Sequence, residues 1–416
     1  MKRVLTLLMA VTLLIGAFAG TAFAATQKIV FCVNIQPQLP VEYWQSIADA
    51  YMAANPDVEV EIIGQPSSNV DVFQYEKTLL ATGQFPDVMV MQNPADFVPS
   101  GALLPFTDEE LSYLLDPSLG KIDGVQYVAN YKKQVIGVFY NMDMFAANDL
   151  AVPTTYQEFL DVCEALKAKD ILPVSIGIKD GWPQIMLANM LAGTDLLAKN
   201  PNWGIERNAD LVKFNNPDLV KAMEKYQYIC QNYAGDSLPS ITYTQMLEQF
   251  FTGQAAMLPM GSWVNAEVAK GLQEFEVGWF PMPGDDNANV LSVFVNEGLS
   301  ISSYTKYPEV CKDFVKFFFS DRQLYSDFLK GEQLFSTTKE AVPYEMIPLR
   351  KYIEQAIVGM QEVEGFESMT GDAAFLPGLK DYYTNKLTQN IAIGNDVATE
   401  LDKFDAEWDI AKDALN

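Results

Sequence analysis

Apolar residues follow two spacings in the first part of the chain. Lys28–Asn34 is a strand-like apolar run, Val58–Ile63 alternates as a strand does, and Pro86–Met91 resembles a buried strand. Between these runs, apolar positions recur at helical spacing over Val41–Met52 and Val70–Thr82. Strands that alternate with helices in this order predict a parallel sheet with helices on both faces.

The same alternation continues further along the chain. Ile136–Asn141 and Ile171–Gly177 are predicted strands, and Thr155 with Glu158 predicts a capping box that begins a helix. Asn216 precedes Pro-Asp and a long helical pattern. No internal repeat and no Pro/Gly/Ser-rich linker interrupts the order. It predicts two α/β lobes, with a chain that crosses between them more than once through short strand-like segments.

The stretch GQAAMLPMGSW, Gly253 to Trp263, places a tryptophan at the exit of a strand. A predicted helix ends at Gly253, an apolar strand runs to Met260, and helical spacing resumes after Trp263. A core tryptophan would lie within the apolar run. This one lies where ligands usually meet an α/β sheet, because ligands bind beyond the carboxyl ends of its strands.

Other polar and aromatic residues also follow predicted strand ends. Amides donate and accept hydrogen bonds to hydroxyl groups, and an aromatic face packs against the C–H face of a pyranose. The mixture suits a neutral polyhydroxylated ligand, and the scarcity of Arg and Lys argues against an anion. The candidate ligand-binding residues are Asn34, Gln36, Gln92, Asn93, Lys179, Asp180, Trp182, Trp263, Asn296 and Glu297.

Charge and composition exclude several classes of function. The chain has 54 acidic and 28 basic residues and a formal net charge of −26. Such a surface repels nucleic acid and anionic membranes. The absence of histidine removes the commonest general base and metal ligand. No phosphate-binding loop and no nucleophile elbow occurs. We therefore expect no nucleic-acid partner, no metal and no cofactor.

Residues 1–24 have the parts of a secretory signal peptide. Lys2 and Arg3 precede an apolar stretch, Val4–Phe18, and small residues lead to a cleavage site after Ala24. An uncleaved membrane anchor is the alternative. No cysteine follows closely enough to carry a lipid, and no later apolar run is long enough to span a bilayer. The mature protein is predicted to be periplasmic or secreted, without stable membrane insertion.

The acidic stretches and the cysteines are interpreted as structural. Gly284–Asn289 lacks the twelve-residue calcium-loop pattern and is interpreted as a solvated turn. DKFDAEWD, residues 402–409, is interpreted as an acidic helix face. Asp87 opens its strand, away from the ligand end. Four buried free thiols are favoured over the pairs Cys163–Cys230 and Cys32–Cys311, which this compartment would permit; the cysteines are Cys32, Cys163, Cys230 and Cys311.

Several stretches together resemble family 1 extracellular solute-binding proteins of ATP-binding cassette sugar importers, the family of the maltose-binding protein. They are NPDVEVEI, TGQFPDVMVM with GALLPFT, GVFYNMDMFAANDLAVPTTYQEF, FFTGQAAMLPMGSW and YPEVCKDFVKFFFS. The resemblance covers nearly the whole mature chain. It implies an α/β periplasmic binding protein fold of two lobes, each a mainly parallel sheet flanked by helices. Three crossovers would form the hinge, with sugar in the cleft.

The resemblance also implies domain boundaries and roles for individual residues. Lobe 1 would comprise residues 25–132 and 293–335, and lobe 2 residues 133–292 and 336–416. The sugar-stacking tryptophan of the family corresponds to Trp263. Its tryptophan-proline stretch corresponds to Trp182, although the family's contacting residues lie just upstream. A C-terminal stacking aromatic corresponds to Tyr383 in LPGLKDYY. A cleft aspartate of the family has no acidic counterpart at Gln92 or Asn93, which argues against maltodextrin.

The sequence as a whole predicts a carbohydrate receptor without catalytic activity. A mono- or oligosaccharide would bridge the lobes and shift the open–closed equilibrium, and the closed monomer would dock on a membrane permease. A secreted glycoside hydrolase is the alternative, because that chemistry needs only two carboxylates. Glu297 and Asp180 are the only acid pair suited to it. A peptide or phosphate ester is the other ligand class left open.

Overall fold

The computed structural model describes residues 26–35, 39–65, 72–92, 94–286, 289–294 and 297–415. The predicted signal peptide and the candidate residues Gln36, Asn93 and Asn296 lie outside these ranges. The strands are β1 Gln27–Val33, β2 Val58–Gly64, β3 Val88–Met91, β4 Leu103–Leu104, β5 Ala129–Asn130, β6 Gln134–Asn141, β7 Leu172–Val174, β8 Ala255–Gly261, β9 Val277–Phe280, β10 Val290–Phe294, β11 Gly298–Ser302 and β12 Gln361–Glu364.

Helices form the longest of the other regular elements. They are α1 Val41–Ala54, α2 Val72–Ala81, α3 Met142–Ala147, α4 Tyr156–Lys167, α5 Ile185–Ala192, α6 Trp203–Asn208, α7 Pro217–Tyr233, α8 Tyr243–Phe251, α9 Val264–Ala269, α10 Pro308–Ser320, α11 Arg322–Glu332, α12 Pro348–Ala356, α13 Leu379–Tyr382, α14 Thr388–Ala392 and α15 Val397–Asp413. Wider π-helical turns follow α5 at Gly193–Leu197 and α13 at Tyr383–Leu387. The predicted capping box at Thr155 and Glu158 is confirmed.

The strands form two sheets, one in each lobe. The first has the order β2-β1-β3-β11-β4, with β5 also paired to β11; the second has the order β12-β10-β6-β8-β7, with β9 also paired to β6. β1 is parallel to β2 and β3, whereas β11 is antiparallel to its neighbours. β6 is antiparallel to β8, β9 and β10. The predicted two-lobed α/β fold is confirmed.

One strand of each sheet runs against the others: β11 in the first sheet and β6 in the second are antiparallel to all their neighbours. β6 and β11 are the first strands that the chain forms after crossing into a lobe. They therefore start at the hinge edge of their sheets and run away from it. β1, β3, β8 and β10 run toward that edge and end there. The hinge topology thus reverses one strand near the middle of each sheet.

The chain crosses between the lobes three times. The first crossing joins β5 to β6, and the second joins β10 to β11. The predicted boundary at 292/293 falls inside β10, which pairs with β6 in the second sheet as far as Phe294. The predicted boundary at 335/336 is also early, because Val342 and Tyr344 still pack in the first core and Ile347 packs in the second. The third crossing therefore lies between Tyr344 and Ile347.

Two acidic features fall where their side chains have structural partners. The Asp87 carboxylate accepts a hydrogen bond from the backbone N–H of Val30 at 2.8 Å, which ties β3 to β1. The stretch 402–409, interpreted as an acidic helix face, includes one buried acid, Asp405. Its side chain pairs with the fully buried Arg207 at 3.2 Å, and Asp409 contacts the same guanidinium nitrogen, also at 3.2 Å.

In the described part of the chain, the cysteines form no disulfide, and neither they nor the remaining acidic turn have the arrangement of a metal site. All four cysteines are buried free thiols. Burial raises the pKa of Cys32, Cys230 and Cys311 to about 12. Asp285 pairs with Lys225 at 2.7 Å. Among the described residues, no cluster of acidic or cysteine side chains is arranged as a metal site, and no helix has the length and apolarity to cross a membrane.

Candidate functional site

Four aromatic side chains of the second lobe cluster at the hinge edge of its sheet: Trp182, Tyr243, Trp263 and Phe294. We call them the aromatic platform. Trp263 follows β8, and its ring is parallel to Phe294 within 11° at 6.3 Å between centroids. Trp182 lies 4.6 Å from Tyr243 and 6.1 Å from Trp263. The Trp263 indole N–H donates to the Tyr243 hydroxyl at 3.2 Å. All but Phe294 remain partly exposed.

Gly261 explains why small residues precede Trp263. A β-carbon at Gly261 would lie 1.9 Å from Cζ3 of Trp263, because the indole folds back over the glycine. The ring is thereby held flat against the end of β8. Ser262 is fully buried, and its hydroxyl accepts a hydrogen bond from the Val135 N–H at 3.1 Å. Gly-Ser therefore fixes the ring orientation as well as the turn.

Asp180 and Lys179 lie beside this platform on an exposed loop. The Asp180 carboxylate accepts a hydrogen bond from the N–H of Tyr243 at 2.8 Å, so it caps the start of α8. This contact holds Tyr243 next to Trp182. Lys179 is exposed, and its backbone N–H donates to the Ile241 carbonyl. Asp180 is thus a residue that orients the platform, and its carboxylate is already engaged.

Two candidate residues of the first lobe, Gln92 and Asn34, follow strands that end at the hinge edge of its sheet. Gln92 follows β3, is partly exposed, and lines a small interlobe cavity of about 20 Å³ together with Glu367 and Lys380 of the second lobe. Asn34 follows β1, and its carbonyl accepts a hydrogen bond from the Trp44 indole N–H at 3.1 Å. At this cavity the lobes are in contact, because the Asp123 N–H donates to Asp372 at 2.7 Å.

Glu297 has a different place from the one predicted. It was expected to bind ligand, but it is buried, and both its oxygens are engaged by protein. The Tyr131 hydroxyl donates to Oε1, and the Lys132 ammonium lies 3.0 Å from Oε2. Gln92 Nε2 makes a longer contact of 3.5 Å with the same Oε2. Glu297 therefore helps to position the Gln92 side chain through this contact.

Tyr383 has no aromatic face to offer a sugar, which corrects its expected stacking role. Its ring is fully buried and packs 5.6 Å from Phe366 and 5.8 Å from Phe375. The π-helical turn that begins at Tyr383 directs it into the core of the second lobe. The neighbouring Tyr382 stacks on Phe404 at 5.5 Å. Neither tyrosine joins the platform.

Sequence reasoning missed Tyr243, Phe294 and Lys132. Tyr243 is the first residue of a helix with a capping box at Thr242 and Gln245, a signal that could have located the turn. Burial raises the pKa of Tyr243, and carboxylates including that of Glu332 in the first lobe add to the rise. The platform therefore lies close to the first lobe, and α9 packs against α11 there.

Comparison with known proteins agrees with this architecture. A family model of the bacterial extracellular solute-binding proteins matches residues 38–324. The multiple sugar-binding protein of Streptococcus mutans is 25% identical over 342 residues, covering 74% of this chain and 78% of the relative.

Two solved structures share the fold. A chitin oligosaccharide binding protein superimposes with a TM-score of 0.81 at 22% identity, covering 93% of this chain and 99% of the other. The solute-binding protein RafE in complex with raffinose has a TM-score of 0.74 at 20% identity, covering 93% and 100%. The family match spans more than half of the chain. The chain therefore belongs to the family of bacterial extracellular solute-binding proteins.

Proposed function

We propose that this protein is the extracytoplasmic receptor of an ATP-binding cassette importer and that it binds a neutral mono- or oligosaccharide between its lobes. The observation that carries the proposal is the aromatic platform of the second lobe, together with the Gln92 amide that lines the interlobe cavity from the first lobe. Rings with a free face suit the C–H face of a sugar, and an amide both donates to and accepts from hydroxyls. Relatives named for a chitin oligosaccharide, raffinose and multiple sugars support this ligand class.

Hinge closure is the proposed mechanism. A ligand that contacts both lobes binds the closed form more tightly than the open form, so it shifts the population toward closure. A membrane permease would then recognise the closed monomer. No cofactor is needed, because the receptor only binds and releases its ligand. Asn34, Lys179 and Trp182 remain candidate ligand contacts, and Trp263 is the principal one.

We expect one or more sugars of a defined panel to bind. Calorimetric titration with glucose, galactose, xylobiose, maltotriose, raffinose and di-N-acetylchitobiose should give a saturable isotherm for at least one of them. Small-angle scattering with that sugar should show a smaller radius of gyration than the ligand-free protein, because the lobes close. Mannitol serves as a control polyol without a ring. Saturable binding of a peptide or a sugar phosphate, with none of these sugars bound, would overturn the ligand class.

A secreted glycoside hydrolase remains the alternative to a receptor, and a turnover assay tests it. The two acids considered for hydrolysis are both occupied: Asp180 caps α8, and Glu297 is paired with Lys132. Hydrolysis requires one carboxyl group to give up a proton and the other to act on the sugar or on water. Incubation with aryl glycosides and with the same oligosaccharides should therefore release no product. Turnover that disappears in Glu297→Gln would establish the enzyme instead.

A further inference from the structure

One buried ionic cluster lies at the first two crossings and at the end of the helix that precedes the third. Lys132 immediately precedes the first crossing into β6, Glu297 ends the second crossing before β11, and Glu332 is the last residue of α11. The Lys132 ammonium lies 3.0 Å from Glu297 Oε2 and 3.2 Å from Glu332 Oε2. We call these three residues the hinge cluster. It joins segments that are 200 residues apart in the chain.

The hinge cluster is buried, and it contains two carboxylates and one ammonium. The side chains of Lys132 and Glu332 are each 4% exposed, and that of Glu297 is 11% exposed. Burial acts to lower the pKa of Lys132, but the two carboxylates outweigh it and hold the pKa above its ordinary value. Burial raises the pKa of Glu332, against the attraction of Lys132. The Lys132 ammonium thus contacts both buried carboxylates and offsets their negative charge.

The residue after Lys132 contacts the other lobe. The Lys133 ammonium pairs with Glu362 of β12 in the second lobe, at a half-exposed site. Adjacent lysines therefore bind opposite lobes, with Lys132 fixed in the first lobe and Lys133 reaching the second.

The hinge cluster also connects to elements on both sides of the candidate site. On one side, Glu297 contacts Gln92, which lines the interlobe cavity. On the other side, α11, which ends at Glu332, packs against α9, the helix that follows Trp263.

We propose that Lys132 is a positioning residue that sets the angle between the lobes. It fixes the lobe-1 ends of the first two crossings against the end of α11 and, through Glu297, orients the Gln92 amide. It acts without touching the ligand. The effect on affinity rests on the proposed sugar-binding function, whereas the effect on the lobe angle does not.

The chain offers a matched control for this proposal. Lys225 is also buried, with a side chain 8% exposed, and it also lies between two carboxylates, 2.8 Å from Asp195 and 2.7 Å from Asp285. All three residues of that control cluster belong to the second lobe, away from the crossings. Lys132→Met leaves two buried carboxylates without their ammonium, and Lys225→Met leaves the buried Asp195 with the more distant Lys221 at 3.8 Å, so both should lower the melting temperature.

The test measures the distance between dyes placed on the two lobes. Leu115 and Leu272 are exposed residues of the first and second lobe and are replaced by cysteine for labelling, since the native thiols are buried. Energy transfer between single dye pairs gives the distance distribution without sugar and with the tightest-binding sugar of the panel. Lys132→Met should broaden or shift the distribution in both conditions and weaken that sugar about tenfold. Lys225→Met should leave the distribution unchanged and affinity within about twofold.

A purely structural role for Lys132 predicts a different result. Both variants would then lose stability alike and keep the distance distribution of the unsubstituted protein, which overturns the proposal. If Lys132→Met does not fold, Glu332→Gln replaces it, because it keeps the side-chain shape and removes one charged arm. It should broaden the distribution to a smaller extent, and an unchanged distribution would again overturn the proposal. If no sugar binds the unsubstituted protein, only the sugar-binding function fails, since the distance distribution needs no ligand.

Discussion

Trp263→Ala is expected to weaken sugar binding about thirtyfold, equivalent to about 2 kcal/mol. The ring lies at the centre of the aromatic platform, parallel to Phe294 and hydrogen-bonded to Tyr243. It remains partly exposed, so its removal should cost less than the about 3–5 kcal/mol typical of a core tryptophan. Calorimetric titration measures the first effect, and denaturant unfolding without sugar measures the second. A full core-sized loss of stability with unchanged affinity would exclude Trp263 from the site.

Gly261→Ala tests the same ring without removing it. The added methyl group would collide with the indole, so the ring must leave its position over the glycine and affinity should fall. Gly278→Ala is the matched control, because a β-carbon there would lie 2.2 Å from the ring of Tyr140 in the same sheet. Both variants should lose stability, but only Gly261→Ala should lose affinity. Equal affinities in the two variants would mean that the orientation of Trp263 does not matter.

Arg207→Met is expected to destabilise the protein by about 3–5 kcal/mol, because it leaves a buried carboxylate without its partner. The Arg207 guanidinium is fully buried, pairs with Asp405, and lies 4.9 Å over the ring of Trp408. Asp405 also accepts hydrogen bonds from the N–H groups of Phe214 and Asn215. These contacts attach α15 to the rest of the second lobe. Denaturant unfolding measures the loss, and sugar affinity should not change.

Arg322→Met is the exposed counterpart of that substitution. Arg322 is about half exposed and pairs at 3.5 Å with Glu340, which is almost fully exposed. Solvent screens such a pair, so its loss should change the free energy of unfolding by less than about 1 kcal/mol. Equal effects of the two arginine substitutions would show that burial adds nothing to the Arg207 network.

Local patterns predicted individual elements closely. The apolar spacing over Val41–Met52 became α1, and Asn216 caps α7 by accepting from the N–H groups of Asp218 and Leu219. The exit of β8 at Trp263 also depends only on neighbouring residues. The predicted strand Ile171–Gly177 is shorter, because only Leu172–Val174 pairs with β8. The length of a strand depends on how far its partner strand pairs with it, and the local spacing of apolar residues carries no information about the partner.

The hinge cluster could not be predicted from the sequence, since its residues come from distant segments. Lys132 and Glu297 resemble ordinary charged residues at the ends of strands, and only the fold brings them together. The need for glycine at position 261 could not be predicted either, because it depends on the direction in which the Trp263 indole folds. The charged helix after residue 401 looked solvated, since Arg207 lies almost two hundred residues earlier in the chain. Pairing across such separations is set by topology.

The interleaved path of the chain has a consequence for the order in which the protein can fold during synthesis. The first sheet needs β11 between β3 and β4, and β11 is made only after every strand of the second lobe except β12. The second lobe, in turn, needs α15 to cover Phe214 and its neighbours. An emerging chain therefore exposes incomplete cores until its last segments appear, and such long-range pairing slows folding. The two lobes therefore cannot be completed one after the other in the order of synthesis.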